Sequence, residues 1–437
     1  MNKKIPISLV IALVLVAMTV TFSVTMIVAM QMFDKTVSSV KEKEILYNKI
    51  AEIDKISRAS FYGEINDTYM YDTIAAGYIA GLADKNSKYY TASKLTEMLD
   101  LTSGRLMGIG IETVGDSTGY SKVIKVYEGS PAAEAGIEKG AHITRITTEK
   151  GETDVKLISD DALTTLLQGE AGTTVTLTYT SLTGEEHTLE IMRRSFEIKT
   201  VDYQIADAIG YVKISLFNDN TRAELDYALN QIRDAGCTSI VFDVRNNAGG
   251  TLKAATDCID LICPTGNIAS AEYKGGNVVN LADSDANAVD LPMVVLINGS
   301  TASSAELFAV SLRDMSDAHL VGTKTAGKGT IQELNRLTDG SAVDITVAKL
   351  LPGNSESFDG VGVLPDYELA LKAEEEQYFY DFTLESDPQI IRAFEIAREL
   401  SKTTAQNTDT AQDTETQEGT QEEAPAEGEA PTESAAQ

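Results

Sequence analysis

Three polar segments of this 437-residue chain carry residue types that could do nucleophilic chemistry. They are Arg245-Asn246-Asn247-Ala248-Gly249-Gly250, Asn298-Gly299-Ser300-Thr301-Ala302-Ser303-Ser304-Ala305-Glu306, and Gly322-Thr323-Lys324-Thr325-Ala326-Gly327-Lys328-Gly329-Thr330-Ile331-Gln332. A serine hydroxyl such as that of Ser303 needs a base to become a nucleophile. No His lies in these segments, although His319 is close in sequence. A Lys can serve only as the neutral amine, so its pKa must fall from about 10.4 to roughly 7–8 through burial or a neighbouring cation. The net charge of −30 opposes that shift, so the reading requires a dry pocket with few carboxylates at close range. The apolar, Gly-rich surroundings of Lys328 suit burial. Gln332 lies four residues on, two strand periods along and so on the same face, where its amide could orient the amine without adding charge.

Each feature also has a bland reading. Ser303-x-x-Glu306 has the form of a capping box before an apolar helix, Gly249-Gly250 could be a turn, and a Lys in a Gly-rich loop is usually solvated. Ser300 and Ser304 are rival hydroxyls, and Lys324 a rival amine. The third segment fits G-x-x-x-x-G-K, but Gly329 stands where a phosphate loop needs a hydroxyl. The chain then alternates like a strand instead of opening a helix, so nucleotide binding is set aside. No cluster of Lys and Arg offers a nucleic-acid surface. Three His (142, 187, 319) and three Cys (237, 258, 263) give neither a metal site nor a disulfide scaffold. No metal or cofactor is expected.

The elements that must position these segments read as a mixed α+β and α/β chain. Ser239 to Val244 and Met293 to Ile297 are continuous apolar strands, as in a sheet buried on both faces. The first two loops follow them, at the strand ends where open α/β sheets place their sites. A strand at 209–217, a capping-box helix start at Thr221-x-x-Glu224 with Leu225, Leu229 and Ile232, and a helix at 305–315 complete the α/β pattern. Residues 103–195 change character. A helix starts at Ser159, Val175, Leu177 and Tyr179 alternate as a strand, and a turn at 182–185 leads to a return strand with Leu189 and Ile191. Residues 34–98 read as helices, the charged stretch 37–56 being a stalk or dimerising helix.

The two ends are opposites. After Lys3 and Lys4 no charge occurs until Asp34, and the apolar run 5–33 is long enough to span a bilayer. The lysines before it favour a cytoplasmic N-terminus and place the rest outside the cytoplasm. Residues 403–437 hold nine acidic and no basic residues, a composition expected to stay disordered.

Taken together, NGSTASSAE, TAGKGTIQ and DVRNNAGG resemble the motifs of the C-terminal processing peptidases, the tail-specific serine proteases. FDGVGVLPD and DPQIIRAFEIA resemble further family segments, so the likeness covers roughly residues 60–400. It implies Ser303 as nucleophile, Lys328 as base and Gln332 as orienting amide, with the Gly249 and Ser304 N–H groups as oxyanion hole. It further implies a PDZ domain whose Gly108-Ile109-Gly110-Ile111 loop takes a substrate C-terminus, beside the 159–168 helix. The implied organisation is a cytoplasmic stub and transmembrane anchor at 1–33, a helical stalk and cap at 34–98, and the PDZ domain at 103–195. A crotonase-like serine peptidase core at 196–385, a C-terminal helix at 386–401 and an acidic tail at 402–437 follow. The expected protein is a bacterial, membrane-anchored endopeptidase acting outside the cytoplasm on proteins with unstructured C-termini. A homodimer is an option for its stalk.

Overall fold

The computed structural model describes residues 7–418 except 150 and 286. The chain divides after Ala75 into two compact units. The first unit is dominated by the helix Ile7–Ser60, unbroken across the expected boundary between anchor and stalk at 33/34. Within it Val10–Met30 is long and apolar enough to cross a membrane. Its threonines hide their hydroxyls by donating to the carbonyl four residues back, as Thr21 does to Ala17. Arg58 closes the helix with ion pairs to Asp54 and Asp67.

The second unit holds the three segments. Its centre is a six-stranded sheet in the order Val201–Ala206, Ile209–Ile214, Ser239–Asp243, Met293–Ile297, His319–Gly322, Tyr367–Glu368. The first pair is antiparallel and the others parallel. Alternation sorts each central strand between two cores. Ile240, Phe242, Val295 and Ile297 pack with the helices Thr221–Asp234, Leu252–Asp260 and Ser304–Ser316. Val241, Val294, Leu296 and Val321 pack with Ile390, Phe394 and Ala397 of the helix Pro388–Glu418. Burial on both faces is why these strands read as unbroken apolar runs.

A second sheet is antiparallel: Lys88–Tyr90, Ala342–Pro352, Gly266–Tyr273, Asn277–Ser284, with Thr330–Arg336 also paired to Ala342–Pro352. A third forms within 103–195, in the order Ile111–Gly115, Ser121–Val126, His142–Thr148, Thr174–Thr180, Glu186–Met192. Its helix Asp160–Leu167 is capped by Ser159, as its sequence suggests. Val175, Leu177, Tyr179 and Ile191 face its core.

Three readings are corrected. The segment 34–98 is not all helical, because Lys88–Tyr90 is a strand on Ala342–Pro352; three residues carry too little periodicity to show it. Thr221 does not cap its helix: Asn220 occupies that place. Thr221 Oγ1 donates to the Leu216 carbonyl, and Glu224 instead accepts from the Thr200 and Val201 N–H groups. The final helix continues to Glu418, into the segment 402–437 expected as a disordered tail. Propagation from an already packed helix needs no new nucleus. The end of that segment, 419–437, lies outside the described residues.

Candidate active site

The loops after Ser239–Asp243 and Met293–Ile297 lie side by side because their parent strands are parallel neighbours. Asn298 Oδ1 accepts from the N–H groups of Asn246 and Ser300. Thr301 Oγ1 donates to the Val244 carbonyl, and Ala302 N–H to the Asn247 carbonyl. Beneath them Arg245, with its side chain 2% exposed, pairs with Asp243 at 2.7 Å and Asp387 at 2.9 Å. It also donates to Gln389. This buried network fixes the root of the first loop to the start of the last helix. Burial opposes ionisation of Asp243, but the Arg245 guanidinium outweighs it and holds the carboxyl below its usual range.

Ser303 sits at the turn into the helix Ser304–Ser316 with φ 57° and ψ −120°. This is a strained, left-handed conformation for a residue with a side chain, of a kind that collects at functional sites. Such a strand-to-helix turn holds a hydroxyl out from the sheet. The capping reading holds on the Glu306 side only. Glu306 Oε2 accepts from Ser303 N–H at 2.8 Å, while Glu306 N–H donates to the Ser303 carbonyl at 2.9 Å. The Ser303 hydroxyl makes no capping bond. The rival hydroxyls are placed otherwise: Ser304 is buried with its Oγ donating to the Gly250 carbonyl, and Ser300 is exposed.

The same Glu306 side chain, 0% exposed, reaches the third segment. It accepts from Lys328 N–H at 2.8 Å, Gly327 N–H at 2.7 Å and the Thr325 hydroxyl at 2.5 Å. One carboxylate therefore joins the Ser303 turn to the Lys328 loop. Lys328 is half-buried and Lys324 exposed. Burial pushes the Lys328 amine below its ordinary value, helped by the Lys88 ammonium and opposed by Asp344, Asp84 and Glu306. The expectation of few nearby carboxylates is thus not met; burial and a second cation carry the shift against three of them. His319 opens its strand, at the end opposite the loops.

Gln332 lies within Thr330–Arg336, and its amide nitrogen donates to the hydroxyls of Thr330 and Thr346 at 2.8 and 3.2 Å. Lys328 precedes this strand, so alternation within it does not extend to the lysine. Among the described residues no hydrogen bond joins Gln332 to Lys328. Gly249 has φ +105°, and a Cβ there would lie 2.9 Å from the Ala302 carbonyl oxygen and 3.0 Å from Ser303 Cβ. Only glycine lets the first loop come this close to the turn. Its N–H donates to Asn247 Oδ1 at 2.8 Å. The N–H groups of Ser304 and Gly250 take no acceptor among the described residues.

Gly108-Ile109-Gly110-Ile111 lies apart from this site, at the start of the Ile111–Gly115 edge strand. The Ile109 and Gly110 carbonyls accept from Ala132 and Tyr127 N–H groups, while their own N–H groups take no acceptor among the described residues. Gly108 approaches the end of the helix Asp160–Leu167, where a Cβ would meet the Leu167 carbonyl at 3.1 Å. A cleft of ≈ 650 Å³, lined by Glu112, Lys125, Tyr127, Lys213 and Arg245, runs to Asn246. Ser303 and Lys328 do not line it.

Sequence reasoning missed Glu306 as a link, Thr325 beside it, and Lys88 and Asp344. Glu306 carried a signal, the capping spacing, that was read only locally. Lys88 carried none, being far from Lys328 in the chain.

Residues 208–369 match the family model described as peptidase family S41. The Bacillus subtilis carboxy-terminal processing protease CtpA is 30% identical over 329 residues, covering 74% of this chain and 70% of that protein. The Bartonella bacilliformis carboxy-terminal-processing protease is 31% identical over 330 residues, covering 73% and 74%. A solved S41 protease structure from Bacteroides fragilis shares the fold, with TM-score 0.54 and 20% identity over 78% of this chain and 93% of that one. This chain belongs to the carboxy-terminal processing proteases of peptidase family S41, which are serine-type peptidases.

Proposed function

We propose that this chain is a membrane-anchored endopeptidase that trims extracytoplasmic proteins from their C-termini, with Ser303 as nucleophile and Lys328 as general base. The observation that carries the assignment is the strained Ser303 turn, tied through Glu306 to a half-buried lysine whose amine is held below its ordinary value. Lys328 takes the Ser303 proton as the hydroxyl attacks the scissile carbonyl, then returns it to the leaving amine; water releases the acyl group by the same route. The Ser304 N–H is one oxyanion donor. Gly249 supplies the other once its N–H leaves Asn247 Oδ1, so the oxyanion site is completed when substrate arrives. Gln332, held by Thr330 and Thr346, presents its amide oxygen to the Lys328 amine.

In this reading 103–195 is a PDZ domain. The N–H groups of Ile109 and Gly110 take the terminal carboxylate, and the substrate extends the open edge of Ile111–Gly115 beside Asp160–Leu167. Residues 196–385 form a crotonase-like core and 386–401 its C-terminal helix, 34–98 are stalk and cap, and 1–33 anchor the chain with its N-terminus in the cytoplasm. A homodimer through the stalk fits the same organisation. The test is digestion of peptides with free and amidated apolar C-termini by the full-length chain. The free acid should be cut faster, and Ser303→Ala and Lys328→Ala should each abolish cutting. Full activity in either variant refutes the assignment.

A further inference from the structure

The strands around Lys328 bring a second lysine to the site from far away in the sequence. Lys88 is the register partner of Asp344, and Gln332 of Thr346, so their side chains share one face of the second sheet. The Gln332–Thr346 hydrogen bond confirms the face. The turn before Lys88 is stitched onto it: Asn86 donates to Thr330 Oγ1, Ser87 Oγ accepts from Thr346 N–H, and Asp84 accepts from Ser87. Lys328 lies two residues before Thr330, in the loop that leads into this strand, where the charges of Lys88 and Asp344 act on its amine. Asp344, half-buried and opposite Lys88, is the one carboxylate on Ala342–Pro352, and the charges of both lysines act on it. Neither lysine closes to ion-pair distance in the structure. If Asp344 took the Lys328 ammonium as its sole partner, the amine would be locked in its charged form and lost to Ser303.

We propose that Lys88 is a positioning residue for the reaction: its exposed ammonium holds the Asp344 carboxylate and so leaves the Lys328 amine unpaired and free for the Ser303 hydroxyl. This rests on the reading of Lys328 as the base. The remaining charges that face Lys328 are Asp84 from the turn and Glu306 from the helix, with Asp359 bonded to the adjacent Gly329 N–H. Glu306 is already saturated by its four donors, and Asp84 by Asn86 and Ser87. The Asp344 carboxylate takes no side-chain or backbone donor among the described residues, whereas Asp359 accepts from Gly329 N–H.

The test uses the full-length chain in detergent, with two readouts. The first is the pH dependence of kcat/KM on a peptide with a free apolar C-terminus. The second is the pH dependence of amine labelling at Lys328, followed by mass spectrometry in a Ser303→Ala background where activity plays no part. Removing the cation in Lys88→Gln should move the rising limb and the Lys328 labelling midpoint together to higher pH. Asp344→Asn should move both to lower pH, and Lys88→Arg should leave both in place. Unmoved midpoints in Lys88→Gln, with Lys328→Ala inactive, overturn this inference and leave the base assignment standing. An active Lys328→Ala overturns both.

Discussion

Replacing Glu306 by Gln removes one acceptor oxygen from a group that now satisfies four donors within the protein. Oε2 takes the N–H groups of Ser303 and Lys328, both at 2.8 Å, and Oε1 takes Gly327 N–H and the Thr325 hydroxyl. Gln keeps the shape but turns an NH2 toward one of these pairs. A hydrogen bond to a charged group is worth about 1.5–3 kcal/mol, and a buried donor left unmatched costs about 1–3 kcal/mol. With partial relaxation, Glu306→Gln should destabilise the second unit by about 2–4 kcal/mol. The catalytic effect should exceed what instability explains, because the Ser303 turn and the Lys328 loop lose their common anchor. A shift of about 1 Å between reacting groups costs on the order of 10² in rate. The assay is urea unfolding beside kcat/KM at a temperature where the variant stays folded. A variant with wild-type kcat/KM, whatever its stability, would refute the reasoning that this carboxylate aligns the two groups.

Gly249→Ala should lower turnover by about 10²–10³, because a Cβ at φ +105° would press on the Ala302 carbonyl and Ser303 Cβ. Wild-type turnover would remove this loop from the oxyanion site. Arg245→Met leaves Asp243 and Asp387 buried without their cation. It should destabilise the second unit by about 3–5 kcal/mol, read as a lowered urea midpoint; an unchanged midpoint would show that the network is not structural.

The sequence points to candidate groups for this site more readily than to the geometry that joins them. Ser303, Lys328 and the Gly249-Gly250 loop stand out as candidates because each sits where an apolar strand gives way to small polar residues, and strand burial is written in local composition. Two of the three segments meet because their parent strands are adjacent and parallel, which the α/β pattern implies. What stayed hidden depends on partners distant in the chain. The pairing of Lys88 with Asp344 follows from strand register, and register over such separations leaves no local trace. The Arg245–Asp387 pair likewise needs the last helix to return to the first loop. Gln332 shows the limit of periodicity: Lys328 precedes the strand Thr330–Arg336, so alternation within that strand does not fix where the lysine points. Glu306 was visible as a cap, but a cap spacing says nothing of the third segment that shares its carboxylate.

The most direct measurement of the central claim is the attachment site of a serine-directed fluorophosphonate on the full-length chain, mapped by mass spectrometry. The adduct should form on Ser303, and its rate of formation should collapse in Lys328→Ala. Labelling at Ser300 or Ser304, or undiminished labelling of Ser303 without the lysine amine, would contradict the account.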